Sequence, residues 1–402
     1  MKPKRRPPPI SLPLTGLLLT GGGARAAYQV GVLETIADLW RATGDHLNPF
    51  PVITGTSAGA VNAAALACGS DDFETAVRRM ADVWQAFETG QVYRADALGM
   101  LDAMGRMRLL LGIGQLLARW MRVRPRSLLD NSPLAELLQR MVPLARLPRL
   151  MARGHLQALA VSASSYSSGD HFTFYESATH KAPWVRSHRI AVPGRITHAH
   201  LMASSAIPFV FPATALPSGG HTEYFGDGSM RQSAPIAPAI HLGAERILVI
   251  GAGRLQEPPA STGPTTHTGY PTLAQIAGHA MSSIFLDALS NDIERLERVN
   301  QTLTLIPPEA RAATTLRPVE LLVIAPSERI DVIAARHVGR LPAAVRRLFG
   351  VQADADGTDV KGAALASYLL FDRGFTGELM ALGRADALRQ RAQLQRFLGW
   401  PA

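Results

Sequence analysis

Cysteine is almost missing from this chain. Cys68 is the single one among 402 residues, so no disulfide can form within it, and the count suits a reducing compartment. Placed at the end of an alanine-rich stretch, Cys68 reads as a small buried hydrophobe and not as a reactive thiol. Lysine is scarce too: only Lys2, Lys4, Lys181 and Lys361 stand among 41 basic residues, and the net charge of +9 is carried by arginine. A basic surface attracts anionic membrane lipid. Recognised nucleic-acid motifs and basic-aromatic patterns are lacking, which argues against a nucleic-acid partner. No run of about 18 uninterrupted apolar residues exists to span a membrane as a helix. No Asp/Glu/His cluster has metal-ligand spacing, so neither metal nor cofactor is expected.

What is present is a sizeable core, with 47% hydrophobic residues, and a set of strand-to-helix turns rich in glycine. In Phe50 to Ala60 an apolar strand (Val52-Ile53) runs into Gly55-Thr56-Ser57-Ala58-Gly59, and an alanine-rich helix follows from about Ala58 to Ala67, with Gly69 at the expected C-cap. A G-x-S-x-G turn of this kind is a nucleophile elbow. It holds a serine in a strained conformation at a helix N-terminus, where bare amides favour developing negative charge. Without its context the pattern is also an ordinary α/β turn that needs glycine and is indifferent to Ser57.

A serine hydroxyl needs a base, and its oxyanion needs donors. Upstream, a buried strand ends in Gly21-Gly22-Gly23 and opens into a helix with Tyr28, Val32 and Ile36 on one face; three glycines there leave backbone amides free to face an anion. A dinucleotide fingerprint has similar spacing, but its second strand should end in an acid, and here it ends in Thr54-Gly55-Thr56-Ser57. Downstream, Asp227 stands between Gly226 and Gly228 in a segment rich in turn formers, after the apolar, helix-ending Ala203-Ser-Ser-Ala-Ile-Pro-Phe-Val-Phe-Pro212. A Ser-acid-His triad would need a later histidine. His241, His267, His279 and His337 qualify by order alone, His241 and His279 in helical patterns and His267 in a Pro/Thr/Gly-rich loop, and the dyad is preferred.

Together these segments resemble the patatin-like phospholipase family, over roughly Leu14 to Gly251. The resemblance implies an α/β, three-layer fold: a central, mainly parallel sheet with helices on both faces, a helical insertion and a helical C-terminal extension. It implies that Ser57 is the nucleophile and Asp227 its base, without histidine. The loop Gly21, Gly22, Gly23, Ala24 and Arg25 would form the oxyanion hole, Arg25 bracing the loop or meeting a lipid phosphate. Gly55, Thr56, Ala58 and Gly59 would shape the elbow, and Gly228 the acid loop. The implied substrate is a membrane phospholipid or lysophospholipid, cleaved as by a phospholipase A or lysophospholipase. A soluble esterase or thioesterase would use the same residues, and a lipid-binding protein would not need them. Two positions depart from the family pattern: Ala26 replaces a glycine, tolerable where φ is negative, and Ser229 follows the Asp-Gly pair.

Residues 1–13 read as a disordered basic, proline-rich tail and not as a signal peptide, since cleavage would cut into the first strand or discard the glycine loop. Residues 14–251 form the expected catalytic domain. Within it, residues 90–150 are a Leu/Met/Arg-rich helical insertion, with patterns at Met100 to Leu111, Gln115 to Arg122 and Leu134 to Met141, read as core or cap in preference to a membrane-facing element. Leu156 to Ser164 and His171 to Tyr175 read as a hairpin. Residues 252–402 are expected to pack on the same domain, with a Pro-rich loop, a long helix through Asn300, a strand at Val319 to Ile324 and helices from Gly362 onward. A cytoplasmic protein, peripheral at the membrane, is expected.

Overall fold

The structure is a computed structural model describing residues 13–44, 46–94, 127–253, 273–349, 351–353 and 360–400. In chain order it runs β1 (Thr15–Leu19), α1 (Ala27–Arg41), β2 (Val52–Thr56), α2 (Ala58–Ala67), α3 (Phe73–Gln85), α4 (Ser132–Met141), α5 (Leu147–Ala152), β3 (Ala158–Ser165), β4 (His171–Ser177), β5 (Val185–Arg186), β6 (Arg189–Pro193), α6 (His198–Ser204), β7 (Thr214–Ser218) and β8 (His221–Asp227). It continues with α7 (Ala237–His241), β9 (Arg246–Ile250), α8 (Leu273–Leu305), α9 (Pro308–Ala312), β10 (Glu320–Ile324), α10 (Ile330–His337), α11 (Ala343–Phe349), the pair β11 (Gln352–Ala353) and β12 (Val360–Lys361), then α12 (Ala363–Leu369), α13 (Arg373–Arg389) and α14 (Arg391–Leu398).

The main sheet has the order β10-β9-β1-β2-β3-β4-β6-β5, and the first five of these strands are mutually parallel. Residues of the central strands alternate between two cores, as the period of two requires. Leu17, Leu19, Ile53, Leu248 and Ile250 face one core, while Leu18, Val52, Ile247 and Val249 face the other. On the first face lie α1, α2, α3 and the C-terminal helices α12 and α13; on the second lie α7 and α8, through Ala239, Leu289 and Leu296. The fold is therefore the expected three-layer α/β arrangement, with strands buried on both faces as apolar runs.

Two glycines bring α13 close to α1. A Cβ on Gly31 would meet the Met380 carbonyl at 2.0 Å, and one on Gly383 would meet the Tyr28 carbonyl at 2.2 Å. Tyr28 then donates to Asp386 at 2.9 Å. Larger residues at either glycine would separate the helices and break that buried bond.

The expected hairpin is β3 with β4, and the expected strand joins the sheet beside β9 as β10. Three local expectations change. Asp227 ends a strand, β8, instead of lying wholly among turns. Cys68 itself takes the C-cap of α2, and Gly69 is not left-handed; it is small because a Cβ there would come within 2.5 Å of the Ala76 Cβ. The long helix α8 continues past Asn300 to Leu305. Of the insertion, α4 and α5 are seen, whereas Met100 to Leu111 and Gln115 to Arg122 lie outside the described residues, as does the tail 1–12.

Candidate active site

Strand β3 serves as the ruler that brings two distant residues together. β2 pairs with it in parallel up to Thr56 opposite Ser162, and the next residue, Ala163, faces Asp227 at the end of antiparallel β8. Because β4 occupies the other edge of β3 as far as Ser164, β8 takes over the edge that β2 has just left. Ser57, one residue beyond β2, thus lands beside Asp227. Its Oγ donates to Asp227 Oδ2 at 2.5 Å.

Local geometry at Ser57 is that of an elbow. Its φ of 56° lies in the left-handed region, where a non-glycine residue costs about 1–2 kcal/mol. Gly55 and Gly59 permit the turn, since a Cβ on Gly55 would meet the Gly59 carbonyl at 2.5 Å and one on Gly59 would meet the Leu19 carbonyl at 2.4 Å. Gly228 is equally confined, its Cβ position lying 2.3 Å from the Ser162 carbonyl. The Ser57 amide donates to Ser204 Oγ at 2.9 Å, and Ser204 donates onward to the Ser162 carbonyl at 2.6 Å. A further clamp joins the elbow to the acid loop: Gln232 Nε2 donates to Thr56 Oγ1 at 2.8 Å.

Asp227 is fully buried. Burial pushes its carboxyl up to about 6, against the opposing hydrogen bonds from Ser57 and Ser229. Its second oxygen, Oδ1, accepts from the Ser229 amide at 2.9 Å, so the residue that departs from the family pattern supplies a backbone donor that any residue would provide. An Oγ–H directed at a buried carboxylate can lose its proton to it. No histidine takes part among the described residues. His241 stacks on Trp184 at 4.6 Å and His337 contacts Glu378 at 2.7 Å; His267 and the side chain of His279 lie outside the described residues.

The glycine loop lies against both the elbow and the C-terminal helices. Gln29 Nε2 donates to the Thr20 and Ile250 carbonyls at 2.8 and 3.3 Å, and Asn62 Nδ2 donates to the Ala26 carbonyl at 3.2 Å and to Gln29 Oε1 at 3.0 Å. A buried polar network therefore ties the loop to α2. Gly23 has φ 55°, and a Cβ there would meet the Tyr368 carbonyl at 2.3 Å. The Arg25 amide donates to the Gly22 carbonyl at 3.1 Å, which withdraws it as a donor to an oxyanion and leaves the preceding amides as candidates. Arg25 is itself buried, not poised for a lipid phosphate. Its Nε donates to Ser367 Oγ at 2.7 Å, its Nη2 to the Ala364 carbonyl at 3.2 Å, and its guanidinium lies 4.0 Å from the Tyr368 ring centroid. Ala26, the other departure, has φ −66° and is unstrained.

Gly23, Ser57 and Ala58 line a small cavity together with Trp84, Phe87 and Phe371. Trp84 Nε1 donates to Asn62 Oδ1 at 2.9 Å, so its ring is fixed by the same network as the loop. Sequence reasoning missed Ser204, Gln232, Asn62 and Phe371. Only Ser204 carried a signal, as part of the Ala-Ser-Ser-Ala-Ile-Pro segment. Cys68 is buried and its thiol is pushed up to about 12, chiefly by burial, as a small core residue would be.

A family model described as patatin-like phospholipase matches residues 17–240. Among curated proteins no match is found. Among solved structures the chain is similar to VipD from Legionella pneumophila, at 12% identity and TM-score 0.33, over 92% of this chain and 67% of that one. It is also similar to the type III effector protein ExoU, at 12% identity and TM-score 0.36, over 96% of this chain and 54% of that one. A third similarity is to full-length ExoU of Pseudomonas aeruginosa in complex with SpcU, at 15% identity and TM-score 0.26, over 97% and 75%. The chain thus spans about half the length of the ExoU chain in the second of these. Membership rests on the family model, which covers more than half of the sequence. The chain belongs to the patatin-like phospholipase family, a family of lipid hydrolases.

Proposed function

We propose that this protein is a serine acyl hydrolase cleaving fatty-acyl esters of membrane phospholipids or lysophospholipids, in the manner of a phospholipase A or lysophospholipase. The observation that carries the reading is the 2.5 Å hydrogen bond from the strained Ser57 to the fully buried Asp227. Asp227 accepts the Ser57 proton as the Oγ attacks the ester carbonyl, and the amides of Gly22, Gly23 and Ala24 meet the oxyanion. Collapse expels the alcohol, which takes the proton from Asp227, and leaves an acyl-enzyme. Water, giving its proton to Asp227, then releases the fatty acid and restores Ser57.

Contact with a bilayer is part of this proposal. Phe209 is 86% exposed and has φ 65°, while Ile207 and Phe211 on either side line the cavity at Ser57. Single exposed aromatics are ordinary; one held outward by a strained backbone between two residues that line the cavity suits insertion at a lipid interface. Among the described residues no helix is long and apolar enough to cross a membrane.

The test compares phosphatidylcholine and lysophosphatidylcholine vesicles with short soluble esters. A fluorophosphonate should label Ser57, and Ser57→Ala should lose labelling and turnover while remaining folded. Labelling at another serine, or wild-type turnover by Ser57→Ala, sinks the dyad. Turnover of soluble esters with none of vesicle lipid makes the protein a soluble esterase.

A further inference from the structure

Apart from the dyad, three arginines from separate parts of the fold line one pocket: Arg189 at the start of β6, Arg231 in the turn Gly228–Arg231 that follows Asp227, and Arg295 on α8. No acidic side chain lines it among the described residues. Asp170 pairs with His188 of the lining at 3.0 Å, and Asp292 stands 3.8 Å from Arg295 but accepts from the Ile236 amide at 2.9 Å. Arg189 and Arg231 make no hydrogen bond or close ion pair among the described residues. Like charges grouped in this way repel one another until an anion joins them.

Ser229 gives an independent sign of a ligand. It lines the same pocket and is only 4% exposed. Its Oγ is close enough to Asp227 to favour the carboxylate, yet has no partner at hydrogen-bonding geometry, whereas buried hydroxyls are ordinarily paired. A phosphate group, multiply charged and with acceptor oxygens on every side, would take the Ser229 hydroxyl and match the forked guanidinium groups together.

We propose that this pocket is a binding site for a phosphate group, and that its occupancy acts on the dyad through the turn that Arg231 ends. That turn touches both reacting partners. The Ser229 amide donates to Asp227 Oδ1 at 2.9 Å, and Gln232, next after Arg231, donates to Thr56 Oγ1 at 2.8 Å beside the nucleophile. An anion bridging Arg231 to Arg189 and Arg295 fastens the turn to β6 and α8, and so steadies Asp227 against Ser57. The anion site stands by itself, whereas the coupling rests on the hydrolase reading.

Calorimetric titration of the whole protein with inorganic phosphate at fixed ionic strength tests the site. Binding should saturate, and Arg189→Gln and Arg231→Gln should each weaken it about tenfold or more; Arg153→Gln, at an exposed arginine elsewhere, should not. No saturable binding, or an equal loss in all three variants, overturns the site. Phosphate should also speed fluorophosphonate labelling of Ser57 at least about fivefold in the wild type and not in Arg231→Gln; an unchanged rate on a protein that binds phosphate overturns the coupling. Phosphate binding without labelling or ester turnover sinks the hydrolase reading and keeps the site. Sedimentation with phosphatidylcholine vesicles, with and without phosphatidic acid, identifies the source. Vesicle binding that rises with phosphatidic acid in the wild type and is lost in Arg231→Gln assigns a lipid headgroup; vesicle binding alike in both proteins assigns free phosphate or a soluble phosphate ester.

Discussion

Replacing Asp227 with asparagine should abolish turnover and stabilise the fold, two effects of opposite sign from one atom. In the wild type the carboxyl is fully buried and titrates at about 6 instead of 3.8, because burial disfavours its charge more than Ser57 and Ser229 support it. Between those two pH values the native state binds a proton that the unfolded state has lost, so stability falls as pH rises from below 3.8 and is lowest once the carboxylate ionises above 6. A gap of about two pH units corresponds to a cost on the order of 3 kcal/mol at pH 8. Asparagine carries no charge and keeps the partners: its oxygen can accept from the Ser229 amide, and its amide can donate to Ser57 Oγ where the carboxylate had accepted. Urea unfolding at pH 8 should therefore give a more stable variant, by up to about 3 kcal/mol, and the advantage should vanish by about pH 4. Turnover should fall on the order of a thousandfold or more. In the wild type, kcat/KM should drop about tenfold per pH unit below about 6, as the base becomes protonated. A variant weaker than wild type at pH 8, or one with the same advantage at pH 4 and pH 8, would refute the reasoning.

Gly22→Val forces a Cβ to within 2.5 Å of the Ala252 Cβ, which must shift the loop amides; turnover should fall about a hundred- to a thousandfold with lipid binding retained, and an unchanged rate in a folded variant removes the loop from the mechanism. Ser204→Ala leaves the buried Ser57 amide and Ser162 carbonyl unpaired. It should cost about 1–3 kcal/mol and slow fluorophosphonate labelling of Ser57; labelling at the wild-type rate would show that Ser204 does not position the nucleophile. Phe209→Gly relieves a left-handed backbone and should raise stability by about 1 kcal/mol, yet weaken vesicle binding and lipid hydrolysis more than hydrolysis of a soluble ester. Equal losses on both substrates would deny Phe209 a membrane role.

What the sequence disclosed was local. Glycines at 55, 59 and 228 are demanded by backbone contacts a few residues or one strand away, and such demands are written in short motifs. The alternation of Leu17, Leu18 and Leu19 between two cores follows from a strand buried on both faces. The roles of Ser204, Gln232 and Phe371 depend on which distant segments meet, and a serine, a glutamine or a phenylalanine has no spacing that announces its partner. Arg25 shows the same limit: the motif placed it at the loop, but only the fold places α12 against it and turns a candidate phosphate ligand into a buried strut.

That strut has a consequence for the order in which the protein is made. Arg25 and Ser367 are 342 residues apart, and Gly23 packs on the Tyr368 carbonyl. At ribosomal speeds of about 5–20 residues per second, roughly 20–70 s separate the synthesis of the loop from that of its support. A growing chain that already contains Ser57 and Asp227 still lacks the surface on which Gly23 and Arg25 rest. Translation itself thus delays completion of the glycine loop until the segment carrying Ser367 has left the ribosome, and on the proposed reading the nascent chain is not yet able to hydrolyse lipid.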